Sequence, residues 1–118
     1  MLSNRSIPLA TVIPVLAYPD VHQAAAWLCA AFGFSVRLRI GDHRVQLNVG
    51  DGAVTLREMR ASDTAAPPDG RISITIRVED ADTHCARAKE HGAHITQEPA
   101  THPYGERQYN AEDFAGYS

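Results

Sequence analysis

Hydrophobic and polar positions alternate with two different periods along this chain, and the places where the period switches mark its elements. Thr11 to Leu16 reads as a strand; Pro14, which cannot donate to a ladder, makes it an edge or irregular one. Asp20 has the chemistry of a helix N-cap. Beyond it Val21, Ala24, Ala25, Leu28, Ala31 and Phe32 recur at helical spacing on one stripe, and Gly33 stands where a C-terminal cap belongs. The spacing predicts a helix over 21–32. The period then falls to two. Phe34, Val36, Leu38 and Ile40 alternate with Ser35, Arg37 and Arg39, and the turn Gly41-Asp42-His43-Arg44 leads to Val45, Leu47 and Val49 alternating with Gln46 and Asn48. After Gly50-Asp51-Gly52, Val54 and Leu56 alternate with Ala53, Thr55 and Arg57. The first half is thus strand, helix and three strands.

Residues 60–70, with Ala65-Ala66-Pro67-Pro68-Asp69-Gly70, have linker chemistry and no period. The order then begins again. Ile72, Ile74, Ile76 and Val78 alternate with Ser73, Thr75 and Arg77; Asp80 caps a helix running to His91 and closed by Gly92; strand patterns follow at 93–97 and 106–111. Asp20–Gly33 and Asp80–Gly92 agree in cap, length and closing glycine at an offset of about sixty residues, the signature of a repeated half-domain. The single domain, 1–118, therefore comprises unit one at about 7–59, a linker at about 60–70 and unit two at about 71–118. Unit two is expected to stop short of its last strand within these residues, either because the strand is missing or because the sequence ends before it: Asp113-Phe114-Ala115-Gly116 is turn-like and Tyr117-Ser118 would open that strand.

Composition narrows the function. The 118 residues carry a net charge of −3, so no basic field holds a polyanion, and nucleic acid is excluded as the expected partner. No apolar run approaches a membrane span and no signal-peptide core opens the chain, which gives a cytoplasmic expectation with no membrane partner. Two cysteines, Cys29 and Cys85, are too few for a disulfide framework. Of the eleven basic residues only Lys89 is lysine, so the positive charge sits almost wholly on guanidinium groups suited to carboxylate and phosphate.

The order and spacing of Val12-Ile13-Pro14-Val15-Leu16-Ala17-Tyr18-Pro19-Asp20, Phe32-Gly33-Phe34, Gly50-Asp51-Gly52-Ala53-Val54-Thr55-Leu56, Ile74-Thr75-Ile76-Arg77-Val78-Glu79-Asp80, His91-Gly92-Ala93 and Tyr104-Gly105-Glu106-Arg107-Gln108-Tyr109 resemble the vicinal oxygen chelate superfamily of glyoxalases, bleomycin-resistance proteins and extradiol dioxygenases. The likeness spans nearly the whole chain. Its usual Asp-Pro-acid-Gly turn is altered here to Asp113-Phe114-Ala115-Gly116. The resemblance implies an α+β fold of two βαβββ units forming a curved mixed sheet around a cup, with helices outside, and a homodimer that completes the cups.

In that family the site lies on the strand face opposite the helices, which by the period-two reading is the polar face: Ser35, Arg37, Arg39, Gln46, Asn48, Thr55, Arg57, Ser73, Thr75 and Arg77. Metal-dependent members place His, Gln or Glu ligands where this chain has Ile13, Thr55 and Ser73, so the resemblance implies no family-type metal here and no cofactor. The six histidines are scattered, and Gly92 separates His91 from His94. The expected ligand contacts are Arg57, Arg77, Ser73, Thr55 and Gln46, with Arg107 and Tyr109 as additions whose facing the pattern leaves open. The leading reading is a protein that binds or sequesters a polar or anionic small molecule. The alternative is a metal-dependent lyase, isomerase or dioxygenase acting on a vicinal-oxygen substrate. A third reading is a dimeric scaffold whose cup is filled by its own side chains; separately, Arg37 and Arg39 have the competing reading of edge-strand arginines that reach solvent or pair with Glu58, Glu106 or Glu112.

Overall fold

The computed structural model describes residues 10–60, 73–115 and 117. The fold is α+β, with elements in the order β1 (Val15–Tyr18), α1 (Val21–Phe32), β2 (Ser35–Ile40), β3 (Arg44–Val49), β4 (Gly52–Glu58), α2 (Ala81–Glu90), β5 (His94–Thr101) and β6 (Arg107–Glu112). The first four strands form one mixed sheet in the order β1-β4-β3-β2, and β5 pairs with β6 in a second. The chain divides into two compact units, one of residues 1–29 with 33–63 and the other of residues 30–32 with 64–118. The last turn of α1 thus belongs to the second unit. Among the described residues no helix is long and apolar enough to cross a membrane.

Helix α1 begins where the cap chemistry requires. The Asp20 side chain accepts from the backbone N–H groups of His22 and Gln23 at 3.1 and 3.0 Å, relieving two donors that have no partner within the helix. Gly33 ends it at φ +79°, a left-handed conformation that L residues avoid, and its N–H returns to the Cys29 carbonyl. Of the stripe read from the sequence, Val21, Ala24, Ala25, Leu28 and Ala31 are buried and Phe32 is half-buried. Helix α2 starts likewise on Asp80, which accepts from Thr83 N–H, and ends at Glu90, slightly short of the expected His91.

In the first sheet β4 is central, pairing in parallel with β1 and antiparallel with β3. One face carries Leu56 against Val45 and Leu16, and Val54 against Leu47. Val45, Leu47 and Leu56 are fully buried. The opposite face sets Thr55 against Gln46, Arg57 against Arg44 and Ala53 against Asn48. The strand expected over 11–16 begins only at Val15, immediately after Pro14, whose carbonyl still accepts from Thr55 N–H. It is an edge strand, as the proline requires.

Two further expectations are corrected. Strand β2 does not keep strict alternation: the register slips between Val36 and Leu38, so Arg37 and Leu38 together oppose Gln46, while Arg39 then opposes Val45. This bulge turns Arg39 onto the apolar, helix-bearing face, where its guanidinium reaches His22 Nδ1 on α1 at 2.9 Å. In the second half, 73–78 keeps the alternating exposure of a strand but joins no ladder. Its counterpart β1 pairs with β4, and the described residues of the second half hold no equivalent fourth strand for it to pair with. Ile72 and most of the expected linker lie outside the described residues.

Truncating a side chain within the first sheet should separate its two kinds of position. Leu56→Ala, at a fully buried site beside Val45, is expected to cost about 2–5 kcal/mol in urea unfolding, whereas Val15→Ala, at a half-exposed edge site, is expected to cost less than about 1 kcal/mol.

Candidate functional site

The polar face of the first sheet is built in rows. Its middle row places Gln46 beside Thr55, only 2% and 4% exposed, so two hydrogen-bonding side chains are withdrawn from water at the centre of the face. The bulge supplies Gln46 with a partner, because Arg37 stays on this face and its Nη1 donates to Gln46 Oε1. The adjacent row places Arg57 directly opposite Arg44, flanked by Ala17 on β1 and Ile40 on β2. Arg57 donates from Nη1 to the Glu58 carbonyl at 3.1 Å, and among the described residues no carboxylate pairs with Arg44. Glu58 itself points to the other face, so no strand residue on this face is acidic. Three of the expected contacts, Gln46, Thr55 and Arg57, are thereby brought together. Arg44 was missed because the pattern reads it as the end of a turn; Arg37 was read onto the polar face but not as a contact.

Arg107 and Tyr109 have a different position. Both lie on the face of β6 that meets α2. Arg107 makes a two-pronged ion pair with Asp82 in the first turn of α2, with Nε and Nη2 donating at 2.7 and 2.9 Å, and Nη1 reaches Thr101 Oγ1 at 3.2 Å. Tyr109 Oη lies 2.5 Å from His84 Nδ1. Since His84 Nε2 faces the Phe32 carbonyl at 3.0 Å, Nε2 must carry the proton and Nδ1 accepts from Tyr109. The two residues expected as additional ligand contacts are therefore held by the helix of their own unit. Ser73 and Arg77 lie on one exposed side of the extended segment 73–78.

The remaining chemistry is equally specific in its partners. His22 accepts from Arg39 at Nδ1, so its proton sits on Nε2, 3.4 Å from Asp42 Oδ1. Burial pushes both the Cys29 and Cys85 thiols up, outweighing the pull of Arg39 on Cys29, so neither has the electropositive setting of an activated nucleophile. The donors do not suit a divalent cation at the positions metal-dependent relatives would use: Ile13 has no donor atom, and Thr55 and Ser73 offer neutral hydroxyls. Among the described residues no three His, Cys, Asp or Glu side chains gather at one point.

Residues 10–118 match the family model described as Glyoxalase/Bleomycin resistance protein/Dioxygenase superfamily. The structure is similar to TioX from Micromonospora sp. ML1, at 33% identity over 90% of this chain and 91% of that one, with a TM-score of 0.72. A glyoxalase/bleomycin resistance protein from Streptomyces sp. CB03234 is 22% identical over 89% and 92% of the two chains, with a TM-score of 0.68. A lactoylglutathione lyase from Agrobacterium tumefaciens is 19% identical over 93% and 90%, with a TM-score of 0.62. These last two are alike in fold alone. No curated protein matches the chain.

The His84–Tyr109 contact has a measurable alkaline signature. Burial, helped by the nearby Cys85, pushes the Tyr109 hydroxyl up to about 12 from an ordinary 10.0. A group that holds its proton more tightly when folded adds stability below its unfolded pKa and loses that contribution as pH rises through its folded one. Stability should therefore fall between about pH 10 and 12, and Tyr109→Phe should flatten that segment of a chemical-denaturation series. At the acid end Arg107 holds Asp82 below its ordinary value of 3.8, first through their hydrogen bond. That contribution is present above 3.8 and lost as pH falls through the folded value, so Arg107→Gln should raise the Asp82 titration followed by NMR.

Proposed function

Because the chain belongs to the glyoxalase/bleomycin resistance protein/dioxygenase superfamily, we propose that it is a cytoplasmic binding protein that holds a small polar or anionic molecule on the polar face of its first sheet, at the exposed Arg44 and half-buried Arg57, with Gln46 and Thr55 buried beside them. One observation carries this reading: Arg44 and Arg57 are directly opposed on that face, and no strand residue there is acidic. Like charges at directly opposed positions of an antiparallel pair destabilise it, and an anion between them removes that cost. Guanidinium groups suit the task, since each presents a planar fork of donors matched to carboxylate or phosphate oxygens. Ser73 and Arg77 share one exposed side of a segment in the second unit, and the proposal for the first sheet does not draw on them. Arg107 and Tyr109 leave it, being committed to α2.

The protein is further proposed to act as a homodimer. Strand β1 supports this: among the described residues it pairs only with β4, Val15 at its start is 52% exposed, and Val12, three residues before it, is 78% exposed. An open strand edge with apolar side chains is a surface that proteins commonly cover. Light scattering that gives the monomer mass at every concentration tested would remove this part of the proposal.

The ligand reading is tested by thermal shift with inorganic phosphate and a panel of small carboxylates at fixed ionic strength. The wild-type midpoint should rise with anion concentration. Arg57→Ala and Arg44→Ala should each weaken the response about tenfold or more, the loss expected for a charge-assisted hydrogen bond. Hits that persist unchanged in both variants overturn the site. Stoichiometric metal in the purified protein, removed by chelation together with anion binding, overturns direct binding by these side chains.

A further inference from the structure

At the opposite end of the same face from the Arg57–Arg44 row, the turn between β3 and β4 borders a recess of about 210 Å³, roughly the liquid volume of seven waters. Arg37 and Asn48 line it with Ala53, and Gly50-Asp51-Gly52 forms its rim. Val49 pairs with Gly52, so the turn has two central residues; Gly50, the first, takes φ +58°, which this kind of tight hairpin requires and glycine supplies without strain. Glycine on both sides of Asp51 makes its carboxylate the one side chain that the turn contributes to the recess, which Ala10 also lines.

Two opposite charges therefore border one small space. The Arg37 guanidinium is held by Gln46 Oε1, and the bulge fixes the side of the sheet on which it stands. The Asp51 carboxylate forms neither hydrogen bond nor ion pair among the described residues, so it does not close onto Arg37 although both line the recess. Beside them Asn48, among the described residues, makes only a long 3.5 Å contact with Ser35 Oγ through Nδ2, and its carbonyl oxygen accepts from none of them. A guest that meets all three groups carries anionic oxygen for the guanidinium, which keeps its bond to Gln46, and, close beside it, a cationic N–H donor for the carboxylate and the amide oxygen. An α-amino acid has that pair of groups on one carbon.

We infer that this recess is a binding site for a free α-amino acid, with the carboxylate of the guest on Arg37 and its ammonium on Asp51 and Asn48. The site is separate from the Arg57 row and does not depend on what binds there. A simple anion would be drawn to Arg37 but repelled by Asp51, and a simple amine the reverse, so the recess selects for the two charges together.

The test is an amide NMR titration of the full chain with L-alanine, propionate and ethylammonium at matched ionic strength; propionate is L-alanine without its ammonium, and ethylammonium is L-alanine without its carboxylate. L-Alanine should shift the Gly50, Asp51 and Gly52 amides to saturation, and each singly charged probe should bind there about tenfold more weakly or worse. Asp51→Asn, a conservative change at an exposed turn position, should abolish the advantage of L-alanine over propionate while leaving phosphate shifts at Arg57 unchanged. The inference is overturned if propionate matches L-alanine in wild type, if Asp51→Asn binds L-alanine equally well, or if L-alanine moves only amides around Arg57.

Discussion

Gln46 and Thr55 stand side by side in the middle of the first sheet with almost no access to water, and much of the local structure answers to that burial. An amide side chain removed from water without a partner costs about 1–3 kcal/mol, so the sheet must bring Gln46 a partner. Arg37 is that partner, and the bulge between Val36 and Leu38 lets Arg37 and Leu38 share the side opposite Gln46. The extra residue has a second consequence. Beyond it the alternation of β2 is inverted, so Arg39 leaves the polar face and meets His22 on α1, which in turn approaches Asp42. One irregularity therefore fixes a polar contact in the site and a helix contact behind it.

A second dependency lies at the end of α1. Helices leave their last carbonyls without intrahelical donors, and α1 has no basic residue in its final turn to answer them. Gly33 N–H reaches only Cys29. The remaining need is met by α2: Arg87 Nε donates to the Ala30 carbonyl at 2.8 Å and His84 Nε2 to the Phe32 carbonyl at 3.0 Å. The His84 ring also stacks on Phe32, with centroids 6.0 Å apart and planes within 5°. These contacts explain why residues 30–32 group with the second unit although the rest of their helix does not. They also set the tautomer of His84 and so make Tyr109 a donor, a role that its high pKa, and hence its retained proton, preserves.

Much of this was legible in the pattern. Helix α1, its Asp20 and Gly33 ends, and strands β3 and β4 follow from periods of 3.6 and 2 because in each a buried face recurs without interruption. The bulge was not legible, since neither Arg37 nor its neighbours is a glycine and an inserted residue leaves no mark in a string that still alternates. Reading Arg39 with Arg37 is the direct result. Segment 73–78 alternates as cleanly as β4 yet makes no ladder, because alternation specifies a half-buried chain and not the neighbour that completes its hydrogen bonds. For β6 the difficulty was the reverse: polar residues occupy both faces of Arg107–Glu112, and only the partners Asp82 and His84, about 25 residues earlier, decide which face meets the helix.

With that facing fixed, the two sheets can be compared as surfaces for a ligand. On the face of β5 and β6 away from α2, the polar groups answer one another: Asn110 Nδ2 donates to Gln97 Oε1 at 3.1 Å, Gln108 Nε2 donates to Glu106 Oε2 at 2.8 Å, and Tyr104 Oη donates to Gln108 Oε1 at 3.1 Å. A guest there must break an existing hydrogen bond for each one it makes, and its net gain is small. On the polar face of the first sheet the balance differs. Arg44 opposes a like charge, with no carboxylate paired to it among the described residues, and Asp51 has no partner at all among them. At each of these two groups a guest adds an interaction without dismantling one. That difference in what binding must displace, more than the number of arginines, is the physical reason to place recognition on the first sheet.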